Sequence, residues 1–204
     1  NIHPDLNQVI FVKKEKMKQL IYLLFIGLLS INGQAQIKSS ELGLEAYGGG
    51  SSLGGSLGGE IKYAAKLPNN LVVGPSFRLQ RTWSNYYSMQ SHFNIWGGGA
   101  FAHLRIQDKV FLGTEFQMLH SPYNFTTFQT GSKKWAPTLF VGGGFYLKLG
   151  PKVNLNLALF YDLINAQNSP FRSSYNFKVK NQAGQVVKIL PIIYRITFFI
   201  PLSK

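Results

Sequence analysis

The stretch Val153-Asn154-Leu155-Asn156-Leu157-Ala158-Leu159-Phe160-Tyr161 is apolar at every odd position, with Asn154, Asn156, Ala158 and Phe160 between and Asp162 next. A strict two-residue period specifies a β-strand with one apolar and one mostly polar face. Leucines and an aromatic on one side, asparagines on the other, suit a wall between lipid and a wet interior.

Working outward, the same alternation predicts seven more strands. Residues 41–48 set Leu42, Leu44 and Ala46 against Glu41, Gly43, Glu45 and Tyr47. Residues 57–67 set Leu57, Ile61, Tyr63, Ala65 and Leu67 against Glu60, Lys62 and Lys66. Residues 71–80 set Leu71, Val73, Pro75, Phe77 and Leu79 against Ser76, Arg78 and Gln80. The less regular 92–105 is read with Phe93, Ile95 and Phe101 outward around Gly97-Gly98-Gly99. Residues 110–119 place Leu112, Phe116 and Met118 opposite Glu115 and Gln117, and 135–149 place Leu139, Val141, Phe145 and Leu147 opposite Thr138 and Tyr146. Residues 190–200 close the set, with Ile192, Tyr194, Ile196, Phe198 and Ile200 opposite Arg195 and Thr197.

The links between them alternate in length. Pro68-Asn69-Asn70, Gln107-Asp108-Lys109 and Gly150-Pro151-Lys152 are turn-forming, whereas 49–56, 81–91, 120–134 and 163–189 are longer. Short turns at one end and long loops at the other predict an all-β fold, an eight-stranded antiparallel up-and-down transmembrane β-barrel. A barrel of eight strands is narrow, so side chains fill it.

Ahead of the strands lies a basic stretch, Lys13, Lys14, Lys16 and Lys18, followed by an apolar run, Leu20 to Ile31, and then Asn32-Gly33-Gln34-Ala35-Gln36. That order predicts a cleavable signal peptide cut after Ala35, with Met17 as the expected start. The run is shorter than the ~20 residues of a spanning helix. Residues 1–35 are accordingly set apart from a single barrel domain over 36–204. There is no cysteine, so disulfide and thiol chemistry are excluded. Charged residues are 14% of the chain against about 25% in soluble domains, which points to a lipid-facing surface.

Which face is inside follows from the charges. Glu41, Glu45, Glu60, Lys62, Arg78, Glu115 and Arg195 all fall on the polar face. Charges in a narrow lumen must be paired, and both signs are present there. A soluble ligand-binding barrel would have the opposite polarity, with an apolar lumen and a polar exterior.

These features resemble the small outer-membrane β-barrel domain proteins of Gram-negative bacteria. The resemblance covers residues 36–204. It rests on the leader ending Gly33-Gln34-Ala35-Gln36, the glycine-run strands Gly97 to Phe101 and Gly142 to Tyr146, and the aromatic last strand Tyr194-Arg195-Ile196-Thr197-Phe198-Phe199. It implies an outer-membrane location and recognition of the last strand by the barrel-insertion machinery, although here the chain continues through Ile200 to Lys204.

Some such barrels modify lipid A with a Ser/His/acid set near the rim. His92, His103, His120, Ser121 and Glu115 are the residues available, but adjacent His120 and Ser121 point to opposite faces of a strand. The glycine runs lack the Lys-Ser/Thr and helix of a phosphate loop. The residues predict no catalytic, metal or cofactor site. A non-enzymatic role is expected, with a lipid A-modifying enzyme or hydrophobic-ligand barrel as the alternative.

Residues 36–204 carry 17 Lys and Arg against 6 Asp and Glu, a net +11, with no acid after Asp162. Arg81, Lys133, Lys134, Arg172, Lys178, Lys180 and Lys188 fall in the long loops beside many aromatics, which suits phosphates of outer-membrane lipid, including lipopolysaccharide. The last loop, 163–189, is the expected element for a protein partner. Nucleic acid is not an expected partner of an exported barrel.

Overall fold

The computed structural model describes residues 37–51, 54–86, 89–124, 129–130, 133–175 and 177–202. The expected leader, with Met17 and Ala35, lies outside the described residues, as do Tyr87, Phe125 and Phe128 among the loop aromatics. In chain order the strands are β1 (Ser39–Ser51), β2 (Gly54–Lys66), β3 (Leu71–Tyr86), β4 (Met89–Ile106), β5 (Val110–His120), β6 (Tyr123–Asn124) and β7 (Gln129–Thr130). They continue as β8 (Trp135–Lys148), β9 (Asn154–Asp162), β10 (Phe177–Lys180), β11 (Val186–Leu190) and β12 (Ile192–Pro201). Eight form a closed antiparallel barrel in the order β1-β12-β9-β8-β5-β4-β3-β2, and β6-β7 and β10-β11 are separate two-stranded ribbons.

The alternation of the sequence becomes the two sides of this wall. Tyr194, Leu57, Phe145 and Leu112, from four different strands, are each at least 60% exposed. Arg195, Tyr146 and Phe111, the chain neighbours of three of them, are buried, as is Glu60, three residues from Leu57. The outward row of the barrel strands carries one charged side chain among the described residues, Arg81, near the long-loop end of β3.

Two sequence expectations need correction. Phe93, Ile95 and Phe101 of β4 fall on the inward row, not the outward one. Its outward row contains Gly98, Ala100 and Ala102, too small to announce an apolar face, while apolar side chains occupy part of the inward row. The inward row therefore continues through His103 and Arg105. Secondly, two of the expected loops are mostly strand. β3 and β4 pair as far as Tyr86 with Met89, and β1 and β2 as far as Ser51 with Gly54.

The short turns cluster at one end. Pro68–Asn70 is a single 3-10 turn, with Asn69 and Asn70 at positive φ, and Gln107 and Asp108 adopt the same left-handed conformation. Asn and Asp tolerate that region, so the turn chemistry matches the sequence. Beside Asp108, Lys148 Nζ donates to its carboxylate at 2.7 Å and holds it below the usual carboxylate range. Glycines let the wall close tightly. A Cβ on Gly99 would run into the Phe116 carbonyl, and one on Gly113 would strike the His103 ring. The seam between β1 and β12 is short, from Glu41 opposite Pro201 to Glu45 opposite Thr197, whereas β3 and β4 pair along Leu71 to Tyr86.

Candidate functional site

The lumen is filled by a charge network drawn from six strands, β1 to β5 and β12. In its middle, Lys62 of β2 donates to Glu115 of β5 at 2.7 Å and lies 3.7 Å from Glu45 and 3.8 Å from Glu60. Arg78 of β3 bridges Glu45 at 2.9 Å and Glu60. Arg195 of β12 donates to Glu115 and lies 3.5 Å from Glu60. Gln117 Nε2 and Thr197 Oγ1 donate to Glu60 and Glu45 at 2.7 and 3.3 Å. Nearer the turn end, Arg105 grips Glu41 with two parallel hydrogen bonds, 3.0 and 2.5 Å. All eight charged residues are at most 6% exposed.

The fourth cation, Arg105, is the member that sequence reasoning missed. The residues singled out there held four glutamates but only three cations. An unpaired buried carboxylate is costly enough that a further inward cation was required. The arithmetic of charge, more than the periodicity of β4, carried that signal. With Arg105 the set balances, four cations against four carboxylates.

Aromatic rings fill the remaining space. Arg105 lies 4.2 Å from the Tyr146 ring centre, Arg195 4.5 Å from Phe140, and Arg78 4.8 Å from Tyr47. His103 Nε2 is 3.0 Å from Glu115, and its ring packs among Phe101, Phe111 and Phe160. The imidazole is thereby part of the packing. His120 lies on the other side of the wall, stacked on Trp96 and edge-on to Trp135, while Ser121 is fully buried. The two neighbours do not converge.

Above the network, the first half of the β9–β12 loop folds over the mouth as a plug. Phe171, in the 3-10 turn Pro170–Ser174, is buried edge-on against Phe140 and lies 4.7 Å over Arg78. Asp162 anchors the plug, its Oδ1 accepting from the backbone N–H of Leu139, Ile164 and Asn165 at 3.1–3.3 Å. Tyr175 donates to Asp162 Oδ2 at 3.0 Å, and burial with that carboxylate pushes the phenol up. Asn168 Nδ2 donates to the carbonyls of Ser121 and Lys133 at 2.9 and 3.0 Å, tying the plug to the neighbouring loop.

The cations expected in the loops divide three ways. Arg172 turns into the plug and donates to the Asn165 and Ala166 carbonyls at 3.2 and 3.4 Å, so it is not a free surface contact. Arg81 lies in β3 rather than in a loop, on the outer wall opposite Leu57 and Asn94. Lys133, Lys134, Lys178, Lys180 and Lys188 are exposed. Once the lumen charges cancel, Asp108 and Asp162 are the acids left against thirteen cations of residues 36–204, and Asp162 is buried. Apart from Arg81 on the outer wall and Lys204, which lies outside the described residues, the excess positive charge therefore belongs to the two ends of the barrel. Comparison with protein-family models, curated proteins and solved structures gives no match to this chain.

Proposed function

We propose that this chain is a non-enzymatic outer-membrane barrel of a Gram-negative bacterium, serving the envelope as a rigid, filled cylinder that presents its loops at the surface. One observation carries the reading: an apolar exterior encloses a charged, internally neutralised interior. A water-soluble barrel places Leu, Phe and Ile inside, because exposing them on every strand costs roughly 25 cal/mol per Å² of apolar area. Lipid removes that cost. The shorter barrel strands fit as well, with 9 residues in β9, 10 in β12 and 11 in β5, against about 9–11 for a tilted membrane-spanning strand. Trp96, His120 and Trp135 sit side by side on the outer wall, as aromatics do where lipid meets water.

A lumen of paired charges and packed rings suits a structural cylinder better than a conduit. Insertion would depend on the barrel-assembly machinery, with the aromatic β12 as the strand it meets. The leader and its cleavage after Ala35 belong to the same proposal. The test is an unboiled against a boiled gel of the detergent-solubilised protein, together with fractionation of the host envelope. A mobility shift on boiling and an outer-membrane location are expected. A soluble periplasmic protein with no shift would reverse the assignment of inside and outside.

A further inference from the structure

Among the described residues, no hydrogen bond, ion pair or ring contact joins the second half of the β9–β12 loop to the rest of the barrel. β10 and β11 pair with each other, Phe177 opposite Leu190 and Val179 opposite Lys188, with a register shift beyond. Both faces of this ribbon are exposed, Val187 at 61% and Phe177 at 42%. Lys178, Lys180 and Lys188 are interleaved with Val179, Val186 and Ile189, and no acidic residue occurs after Asp162. A two-stranded hairpin is marginal in water by itself, so a ribbon with apolar side chains on both faces needs a medium that takes them up. Its root is fixed at the wall, since Asp162 N–H donates to the Pro191 carbonyl at 2.8 Å and β12 follows at Ile192.

We propose that the β10–β11 hairpin docks on the phosphate head-group layer of the leaflet surrounding the barrel's mouth. The lysines meet phosphates, and Phe177 and Val187 enter the acyl boundary. This rests on the membrane reading above and names the partner of that surface. The charge sign fits an anionic plane, and amphipathic side chains of this kind settle at the interface. A protein strand adding to the ribbon edge would satisfy its backbone but leave three cations without counter-charge.

The absence of native cysteine allows a clean test on the full chain. Val187→Cys carries an environment-sensitive dye, and the protein is reconstituted in phosphatidylcholine vesicles with or without phosphatidylglycerol. In anionic vesicles the dye should shift to the blue and resist aqueous quencher, and added salt should reverse both. Lys178→Gln, Lys180→Gln and Lys188→Gln together should lower the ratio of docked to free hairpin on the order of a hundredfold. An exposed dye in both vesicle types, in a barrel that still shifts on boiling, overturns the docking and leaves the membrane reading standing. Failure to incorporate and to shift overturns both. Shielding that follows protein-to-lipid ratio rather than lipid charge would mean that hairpins pair with each other, and it also overturns the docking.

Discussion

The β9–β12 loop is one connection with two physical characters. Its first half, 163–175, turns its polar groups inward, where Asn168 and Arg172 find backbone carbonyls, Asp162 at its root accepts from backbone N–H groups, and Phe171 settles on the lumen cations. Its second half, 177–190, has exposed lysines and apolar side chains on both faces. The first half holds five Asn and Ser with one cation, the second a single Asn with three lysines among its valines. Whether the barrel mouth offers a seat separates them. A ring over guanidinium groups in a desolvated site is held by cation–π attraction as well as by burial. The hairpin has no such seat among the described residues.

The contrast can be broken most forcefully at Asp162. Asp162→Ala removes the acceptor of three backbone N–H groups and the Tyr175 hydroxyl, at a cost of about 3 kcal/mol. Thermal unfolding followed by the gel shift should register it, and limited proteolysis should newly cut within 163–175. An unchanged cleavage pattern would mean that the plug is held by other contacts. Phe171→Ala should cost about 3 kcal/mol while leaving the barrel closed, since what is lost is the ring over Arg78, Arg195 and Phe140.

A third effect depends on pH. The Tyr175 phenol is raised by burial, so the plug favours the neutral form. Its contribution is complete below the ordinary tyrosine value of about 10 and fades as pH rises through the higher folded value. Proteolysis of the plug should thus accelerate only in strong alkali, and Tyr175→Phe, costing about 1 kcal/mol at neutral pH, should abolish that dependence. The smallest effect belongs to the other half. The triple change of Lys178, Lys180 and Lys188 to Gln should alter unfolding in detergent by less than about 0.5 kcal/mol. A larger loss there would make the hairpin part of the folded core and erase the distinction.

The barrel itself was legible because the outer wall and the lumen carry different chemistry on alternate residues, and Val153 to Tyr161 keeps its outer row apolar without interruption. β4 resisted the same reading. Gly98, Ala100 and Ala102 say little about which side they face, while Ile95 and Phe101 are apolar yet inward. Arg105 and His103 went unassigned with them. Parity counted from Arg105, or the unequal number of acids and cations, would have recovered the face. The division of the long loop was not legible, because nothing local to Phe171 or Lys178 records what lies across the mouth. The extension of β3 to Tyr86 was hidden similarly, since polar residues pair as readily as apolar ones where a ribbon rises beyond the wall.

The short seam between β1 and β12 bears on how such a cylinder is made. Residues Glu41 to Glu45 meet Pro201 to Thr197 across it, the first and last parts of the barrel sequence. Every other junction joins segments nearer along the chain, so most of the wall can form while the sheet is still open. The seam waits for both ends, and its loop-closure cost is the largest in the molecule. A chain shortened by one strand would have no mate for β1 and would remain a curled sheet with two raw edges. Synthesis of the final strand is therefore also the step that makes the object a tube.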